Sequence, residues 1–206
     1  MSPNDWEECF LLHQRSYGDT SIIAEIFTRK SGKMSVIARG AKKPKSKFFG
    51  YLVPFSKLQI TYSGRSELKT LTNIDRDLSL IDNNLSKKSY SLLYINELMI
   101  KLLPKDAANE DLFNLYSNFI EASVKEVDMR FLLRSFELDL LDMLGYGINF
   151  QTDIDAHEPI EAALDYIFIA ERGFKTSNKD SDFSGQDIID IRNRNLVNVS
   201  SNKLKQ

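Results

Sequence analysis

Cysteine and histidine are nearly absent from this sequence of 206 residues, which contains one cysteine and two histidines. A single thiol excludes an intrachain disulfide framework and any zinc finger built on cysteines, and it is typical of a reducing compartment. Neither His13 nor His157 has a second ligand at metal spacing. Cys9 lies in an apolar run, and we expect a buried, inert thiol there. No metal site and no cofactor are predicted.

Long apolar runs are also missing. No stretch approaches the roughly 18 consecutive apolar residues of a membrane helix. The N-terminus, MSPNDWEE, is acidic, whereas a secretory signal would be basic and then apolar. We therefore expect a globular cytoplasmic protein that does not associate with membranes, and a hydrophobic content of 42% is enough for ordinary packed cores.

Acidic residues are absent from residues 26–66, although this segment contains ten Lys and Arg residues and the whole chain has a formal net charge of −2. The densest part is RGAKKPKSKFF, Arg39–Phe49, with five basic side chains in nine residues. A solvated surface normally mixes signs, and the self-repulsion of such a loop is relieved by an anion. The charge distribution predicts a polyanion partner.

The first eighty residues alternate polar and apolar side chains with the period of half-buried strands. SKLQITYS and KMSVIAR alternate most clearly, and EECFLLHQ, TSIIAEIFT and ELKTLTNI complete a set of five candidates. Five short strands with the longest connection after the third are typical of an OB-type barrel. An SH3-like barrel is the alternative on pattern alone.

After Asp82 the apolar residues recur with the period of helices, which predicts helices at about 86–103, 109–126 and 128–145. The expected fold class is α+β: a five-stranded OB-fold β-barrel at residues 1–80, followed by an α-helical C-terminal domain at residues 81–206. The last part of that domain is irregular, with a hairpin turning at Arg172–Gly173 and a short helix capped by Ser184.

Motifs of catalysis are missing. The sequence contains no phosphate-binding glycine loop, nucleophile elbow or Cys/His pair. The DIDAHE segment lacks the glycine and the distal glutamate of a calcium loop, and we expect a solvated acidic loop. The chain is predicted not to be an enzyme. Two alternatives stay open: a metal-dependent nuclease using Asp153 and Asp155, and an RNA-binding OB-fold protein.

Aromatic residues accompany the acid-free segment. Single-stranded nucleic acid is commonly bound by a cationic groove whose aromatic side chains stack on bases. Most of these aromatics are expected to belong to a core, Phe27 in particular, whereas Phe48 and Phe49 could stack on bases or hold the loop to the barrel. The aromatics concerned are Tyr17, Phe27, Phe48, Phe49 and Tyr51.

The predicted third helix contains a second basic pair. Arg130 and Arg134 are four residues apart and therefore neighbours on one helix face, where like charges are unfavourable. In one interpretation, Glu137 pairs with Arg134. In the other, the arginines form an anion site beside the apolar stripe, suited to a peptide with acidic residues and a hydrophobic end.

Several of these segments, taken in order, resemble the RecO family of bacterial recombination mediators. The resemblance runs from about residue 6 to residue 150 and continues more weakly through ERGF and FSGQDI. Its landmarks are YGDTS, ARGAKKPKS, GRSELKTLTN, YINEL followed by LLP, and RSFELDLLDMLGYGINF.

The resemblance implies an N-terminal OB fold, a helical C-terminal domain and no catalytic centre. It further implies a cytoplasmic, nucleoid-associated protein that binds single- and double-stranded DNA and anneals complementary strands. The implied protein partners are the acidic, phenylalanine-ended tail of single-strand-binding protein, contacted around Arg130 and Arg134, and RecR, with which it helps RecA to displace that protein. The implied DNA contacts are Arg39, Lys42, Lys43, Lys45, Lys47 and Arg65, with Arg29 and Lys33 as secondary candidates.

Two departures from the family pattern are visible. Some relatives carry four zinc-binding cysteines in the helical domain, whereas this chain resembles the zinc-free branch. The sequence also stops soon after RNRN, where many relatives continue into a further basic helix. Any DNA or partner contact of that helix is not expected here.

Overall fold

The structure is a computed structural model that describes residues 5–76, 85–125, 127–179, 181–200 and 202–205. The chain divides into two compact units, Met1–Met129 and Arg130–Gln206. The sequence-based domain boundary, between residues 80 and 81, lies outside the described residues. The elements of the first unit are β1 (Glu7–Tyr17), β2 (Ser21–Thr28), β3 (Gly32–Ala38), β4 (Lys57–Ser63), β5 (Leu68–Arg76), α1 (Leu85–Leu102) and α2 (Glu110–Ser123).

Five strands close into a barrel in the order β1-β2-β3-β5-β4. All neighbouring strands are antiparallel except β3 and β5, which are parallel, and β4 closes the barrel by pairing with the first part of β1. This is the topology of an OB fold, so the predicted barrel is confirmed and the SH3-like alternative is excluded.

Alternation along the strands directs one set of side chains into the barrel. Leu58 and Ile60 of β4 are fully buried there with Leu11, Ile26 and Val36 of the neighbouring strands. Cys9 lies in the same core, and burial raises the pKa of its thiol far above its ordinary value. The thiol is therefore protonated and inert, as expected from the sequence.

Helices α1 and α2 pack on the outside of the barrel. Phe10 and Phe27 point out of the strands and contact the rings of Phe113 and Tyr116 of α2, with ring centroids 5.0–6.4 Å apart. Asn96 of α1 is buried and donates a hydrogen bond to the Leu12 carbonyl oxygen (2.9 Å). Both faces of β1 and β2 are therefore buried over part of their length. Phe27 belongs to the core, as expected.

The second unit is built around a separate aromatic core. Phe174 contacts Phe150, Phe168 and Phe183, with ring centroids 5.2–5.6 Å apart. The predicted hairpin is present, and Ser184 caps the last helix through a capping box with Asp187. The elements are α3 (Met129–Met143), β6 (Asp165–Ile169), β7 (Gly173–Thr176), β8 (Phe183–Ser184), α4 (Gly185–Arg192) and 3₁₀ helices at Leu196–Asn198 and Lys203–Lys205.

Helices α1, α2 and α3 begin and end within three residues of the bounds predicted from the periodicity. In the part of the chain that the structure describes, no helix is both long enough and apolar enough to span a membrane.

Candidate nucleic-acid interface

The basic loop, Arg39–Phe49, leaves β3 and lies beside the turn between β1 and β2, where Lys42 N donates to the Thr20 carbonyl oxygen (2.9 Å). Consecutive backbone turns shape it, and Ala41 and Phe48 enter the barrel core. Phe48 is 7% exposed and Phe49 is 51% exposed. The first phenylalanine therefore holds the loop to the barrel and the second faces solvent.

No acidic side chain of the described residues compensates the charge of the five cations of the basic loop. Lys42 Nζ donates to the Gly18 carbonyl oxygen (3.2 Å) and Lys47 Nζ donates to Asn73 Oδ1 (2.9 Å), and both acceptors are neutral. Across the described ranges, none of the five forms a salt bridge. The loop therefore presents a concentrated positive field. Its other three cations, all exposed, are Arg39, Lys43 and Lys45.

Arg29, a secondary candidate for DNA contact, is engaged within the first unit. Its Nε pairs with Glu8 (2.7 Å), one terminal nitrogen pairs with Glu110 (2.9 Å), and its guanidinium lies 4.5 Å from the Phe113 ring centroid. These contacts join β1, β2 and α2. Arg29 therefore stabilises the packing of the barrel on α2.

Lys33 and Arg65 differ from each other in whether the side chain is bound inside the first unit. Lys33 is buried and its Nζ donates to the carbonyl oxygen of Ile100 in α1, and burial lowers the pKa of this lysine. Arg65 is exposed in the turn between β4 and β5, and no described carboxylate pairs with it. Lys33 thus holds barrel and helix together, whereas Arg65 is free to meet a ligand.

Arg76 was not singled out from the sequence. It ends β5, is partly exposed, and lines a cleft with Phe49 and Tyr51. In the sequence it stands between Asp75 and Asp77, so a charge count along the chain hides it. The pairing of β4 with β5 brings Arg76 next to the end of the basic loop. Arg76 could have been identified as a candidate only from the register of these two strands.

An apolar pocket of about 240 Å³ lies in the second unit. Arg134 and Lys203 contribute cationic groups to it, and most of the remaining wall is hydrophobic. Lys203 Nζ pairs with Asp187 of α4 (2.5 Å). Arg130 is not among the lining residues, and its guanidinium lies 5.5 Å from the Phe131 ring centroid. The lining residues are Arg134, Glu137, Leu138, Leu141, Ile148, Phe150, Phe168, Phe174, Phe183, Ile191, Lys203 and Leu204.

Glu137 pairs with Arg134 across one helix turn, with 2.6 Å between the guanidinium nitrogen and Oε2. The interpretation that Glu137 neutralises Arg134 is therefore confirmed. Glu137 Oε1 is buried in this wall and has no hydrogen-bond partner among the described residues. A buried carboxylate oxygen left unpaired is unfavourable, and it leaves a negatively charged acceptor in the wall of the pocket.

The expected solvated acidic loop is exposed from Asp155 to Glu158, and Asp153 is the exception. The residue is 3% exposed, and its carboxylate accepts hydrogen bonds from Asp155 N (2.7 Å), Ala156 N (2.8 Å), Thr176 N (2.5 Å) and Thr176 Oγ1 (2.7 Å). Burial alone would raise the pKa of Asp153, but these hydrogen bonds outweigh it and hold the pKa well below its ordinary value. A carboxylate used in this way is structural and has no free oxygen for a metal ion.

Replacing Asp153 by asparagine is expected to lower the free energy of unfolding of the second unit by about 2–3 kcal/mol, because backbone donors lose their charged acceptor. The folded pKa is depressed, so the difference from wild type is full above about pH 5. It diminishes as the pH falls through the unfolded value near 3.8 and on towards the folded value. Urea denaturation at several pH values measures it. Asp155→Asn is the control, because the pairs of Asp155 with described residues, Lys175 and Arg172, are exposed. An equal loss there would contradict the assignment.

A closed five-stranded barrel of OB topology, followed by a second unit with its own apolar pocket, defines a protein of the OB-fold class. Residues 1–76 match the family profile described as Recombination protein O N terminal, and residues 86–188 match Recombination protein O C terminal. The chain belongs to the RecO family of DNA repair and recombination proteins.

Individual relatives agree with this assignment. The DNA repair protein RecO of Psychromonas ingrahamii is 34% identical over 92% of this chain and 82% of its own length. That of Hamiltonella defensa is 39% identical over 85% of this chain and 75% of its own length. That of Haemophilus influenzae strain 86-028NP is 36% identical over 87% of this chain and 77% of its own length.

Proposed function

We propose that the protein is a recombination mediator that binds single- and double-stranded DNA through the basic loop and anneals complementary strands. The observation that carries the proposal is the set of five loop cations without a salt bridge among the described residues. Arg65, in the β4–β5 turn, adds a further free cation of the same unit. The two secondary candidates, Arg29 and Lys33, are engaged elsewhere, so the proposal depends on the other six.

The mechanism follows from the charge. Each phosphate that a lysine or arginine neutralises releases condensed counterions, which favours binding and makes it depend on salt. Two strands held in one cationic field repel each other less than in water, and this lowers the barrier to annealing. Phosphate contacts carry little information about bases, so low sequence specificity is expected.

We further propose that the apolar pocket of the second unit binds the C-terminal tail of single-strand-binding protein. Such a tail combines acidic side chains, a terminal carboxylate and a phenylalanine ring. Arg134 and Lys203 are paired with Glu137 and Asp187, and their remaining N–H donors would bind the anionic groups of the peptide. The ring would enter the hydrophobic wall. Arg130, one helix turn before Arg134, would meet the acidic residues further along the peptide.

Cooperation with RecR in loading RecA is part of the same proposal. Membership of the RecO family supports it. Copurification of the protein with RecR, followed by a RecA filament assay on DNA covered with single-strand-binding protein, tests this part separately from DNA binding.

Annealing of complementary oligonucleotides, with and without single-strand-binding protein, tests the function directly. If about six phosphates are contacted, the logarithm of the single-strand affinity should fall with the logarithm of salt concentration at a slope near −4. Annealing should persist when both strands are covered. An affinity that does not change with salt would contradict the proposal.

The same preparation separates the mediator from the other classes. Labelled DNA incubated with Mg²⁺ or Mn²⁺ should stay intact, and turnover would instead identify a nuclease. In a competition experiment, RNA should not strongly displace single-stranded DNA. Exclusive binding of RNA would identify an RNA-binding OB protein. Within the described residues, no three acidic, histidine or cysteine side chains are grouped as metal ligands.

A further inference from the structure

Two exposed aromatic side chains stand at the end of the basic loop. Phe49 is 51% exposed and Tyr51 is 39% exposed, and Gly50 between them has a φ of +75° that turns the chain. With Asp75 and Arg76 they line a cleft of about 290 Å³. A single exposed ring is ordinary, but two rings that line one cleft beside a cationic loop form an apolar patch of the kind that marks a binding site.

The segment that carries the two rings is fixed in place. Phe48 anchors it in the barrel core, Phe49 N donates to the Ser46 carbonyl oxygen (3.1 Å), and Tyr51 N donates to the Phe48 carbonyl oxygen (3.2 Å). Lys47 is held by Asn73 of β5. The rings are therefore presented to solvent by a rigid support, and binding a flat partner would cost little ordering.

The charges at the cleft suit a base better than a phosphate. Asp75 and Arg76 stand side by side, so a phosphate would meet a carboxylate as well as a guanidinium. A nucleobase is neutral, aromatic and edged with hydrogen-bond donors and acceptors that both groups can meet. The five uncompensated cations that precede the rings in the same loop are suited to the adjoining phosphates.

We propose that Phe49 and Tyr51 form a stacking site for an unpaired nucleobase, with Asp75 and Arg76 at the base edge. The inference rests on the proposed binding of DNA by the basic loop. It assigns one role to the lysines of the loop and another to the two aromatic rings. The lysines bind the backbone of any DNA, and the aromatic pair selects single strands, because bases inside a duplex are stacked on each other and out of reach.

The test is a double variant, Phe49→Leu with Tyr51→Leu, in the full-length protein. Its affinity for single-stranded DNA should fall about tenfold, as expected for loss of a stacked base. Its affinity for duplex DNA and the salt slope for single strands should stay as in wild type, because no charge changes. Phe49→Trp should retain single-strand binding, and Tyr90→Leu, at an 88% exposed position on α1, is the matched control.

Photocrosslinking to single strands containing halogenated deoxyuridine provides a second readout that does not depend on a variant. The crosslinked peptide should contain Phe49 or Tyr51. The stacking site is refuted if the double variant binds single strands as tightly as wild type, or if it loses duplex binding to the same extent. Failure of the wild-type protein to bind either DNA would instead refute the proposed function.

Discussion

Glutamate in place of Lys42, Lys43 and Lys45 together is expected to reduce binding of both single- and double-stranded DNA by at least about 100-fold near 0.1 M salt. The three residues lie in one loop and form no salt bridge within the described residues, so no ion pair is lost. The one side-chain hydrogen bond that is lost, from Lys42 Nζ to the Gly18 carbonyl oxygen (3.2 Å), is exposed. Removing three phosphate contacts should also flatten the salt slope for single strands by about 2. Fluorescence anisotropy over a salt series measures both quantities.

A matched charge reversal distinguishes the loop from the net charge of the chain. Lys101, Lys105 and Lys125 are exposed residues of the same unit outside the acid-free segment, and changing them to glutamate alters the total charge equally. Lys101 also pairs with Glu97 (2.6 Å), but an exposed i,i+4 pair contributes only a few tenths of a kcal/mol to stability. This control should bind DNA within about threefold of wild type. An equal loss in both triple variants would mean that the basic loop is not the DNA-binding surface. Thermal unfolding checks that both variants are folded.

The strands could be predicted because the barrel buries one face along most of its length. In β4, the buried Leu58 and Ile60 alternate with the partly exposed Lys57 and Gln59, and the sequence shows the period directly. In β1 the burial is nearly continuous from Cys9 to Leu12, because α2 covers the outer face at Phe10. Alternation cannot indicate a second covering layer, so the packing of α1 and α2 on the barrel was not foreseen.

The basic loop could be recognised from composition alone. Which cations of the acid-free segment form ion pairs in the folded protein could not. Arg29 belongs to the same acid-free segment, yet its partner Glu110 is 81 residues away in the sequence. Local counting cannot reveal a partner that the fold brings from such a distance. The Arg134–Glu137 pair, in contrast, is separated by one helix turn, so the spacing offered it as one of two interpretations, and the structure contains it.

Local sequence also cannot tell which of the two adjacent phenylalanines of the loop is buried. Phe48 and Phe49 are adjacent and chemically identical, and only the backbone turn decides that one enters the core and the other faces solvent. The burial of Asp153 could not be predicted from local sequence either. Its acidic neighbours suggested solvation, whereas Thr176, on β7, supplies two of its four hydrogen bonds.

Arg134→Ala is expected to reduce binding of an acidic peptide ending in phenylalanine by about 10- to 100-fold, while DNA binding by the basic loop is unchanged. The reason is that the guanidinium is one of two cationic groups at the apolar pocket, and a charged hydrogen bond across an interface contributes about 1.5–3 kcal/mol. Titration calorimetry with the synthetic peptide measures the loss. A peptide whose last residue is alanine should bind the wild-type protein as weakly.

Glu137→Gln sharpens the test, because it acts on the same site in the opposite direction. Glu137 now neutralises Arg134 (2.6 Å) and keeps a second, unpaired oxygen in the pocket wall. Glutamine preserves the shape, releases the guanidinium and removes an anion that would repel the peptide, so affinity should rise severalfold. If Arg134→Ala and the triple lysine variant each lose both peptide and DNA binding, two separate sites do not exist. If Glu137→Gln weakens the peptide complex, Glu137 supports the ligand instead of competing with it, and the pocket does not bind the tail in the way proposed.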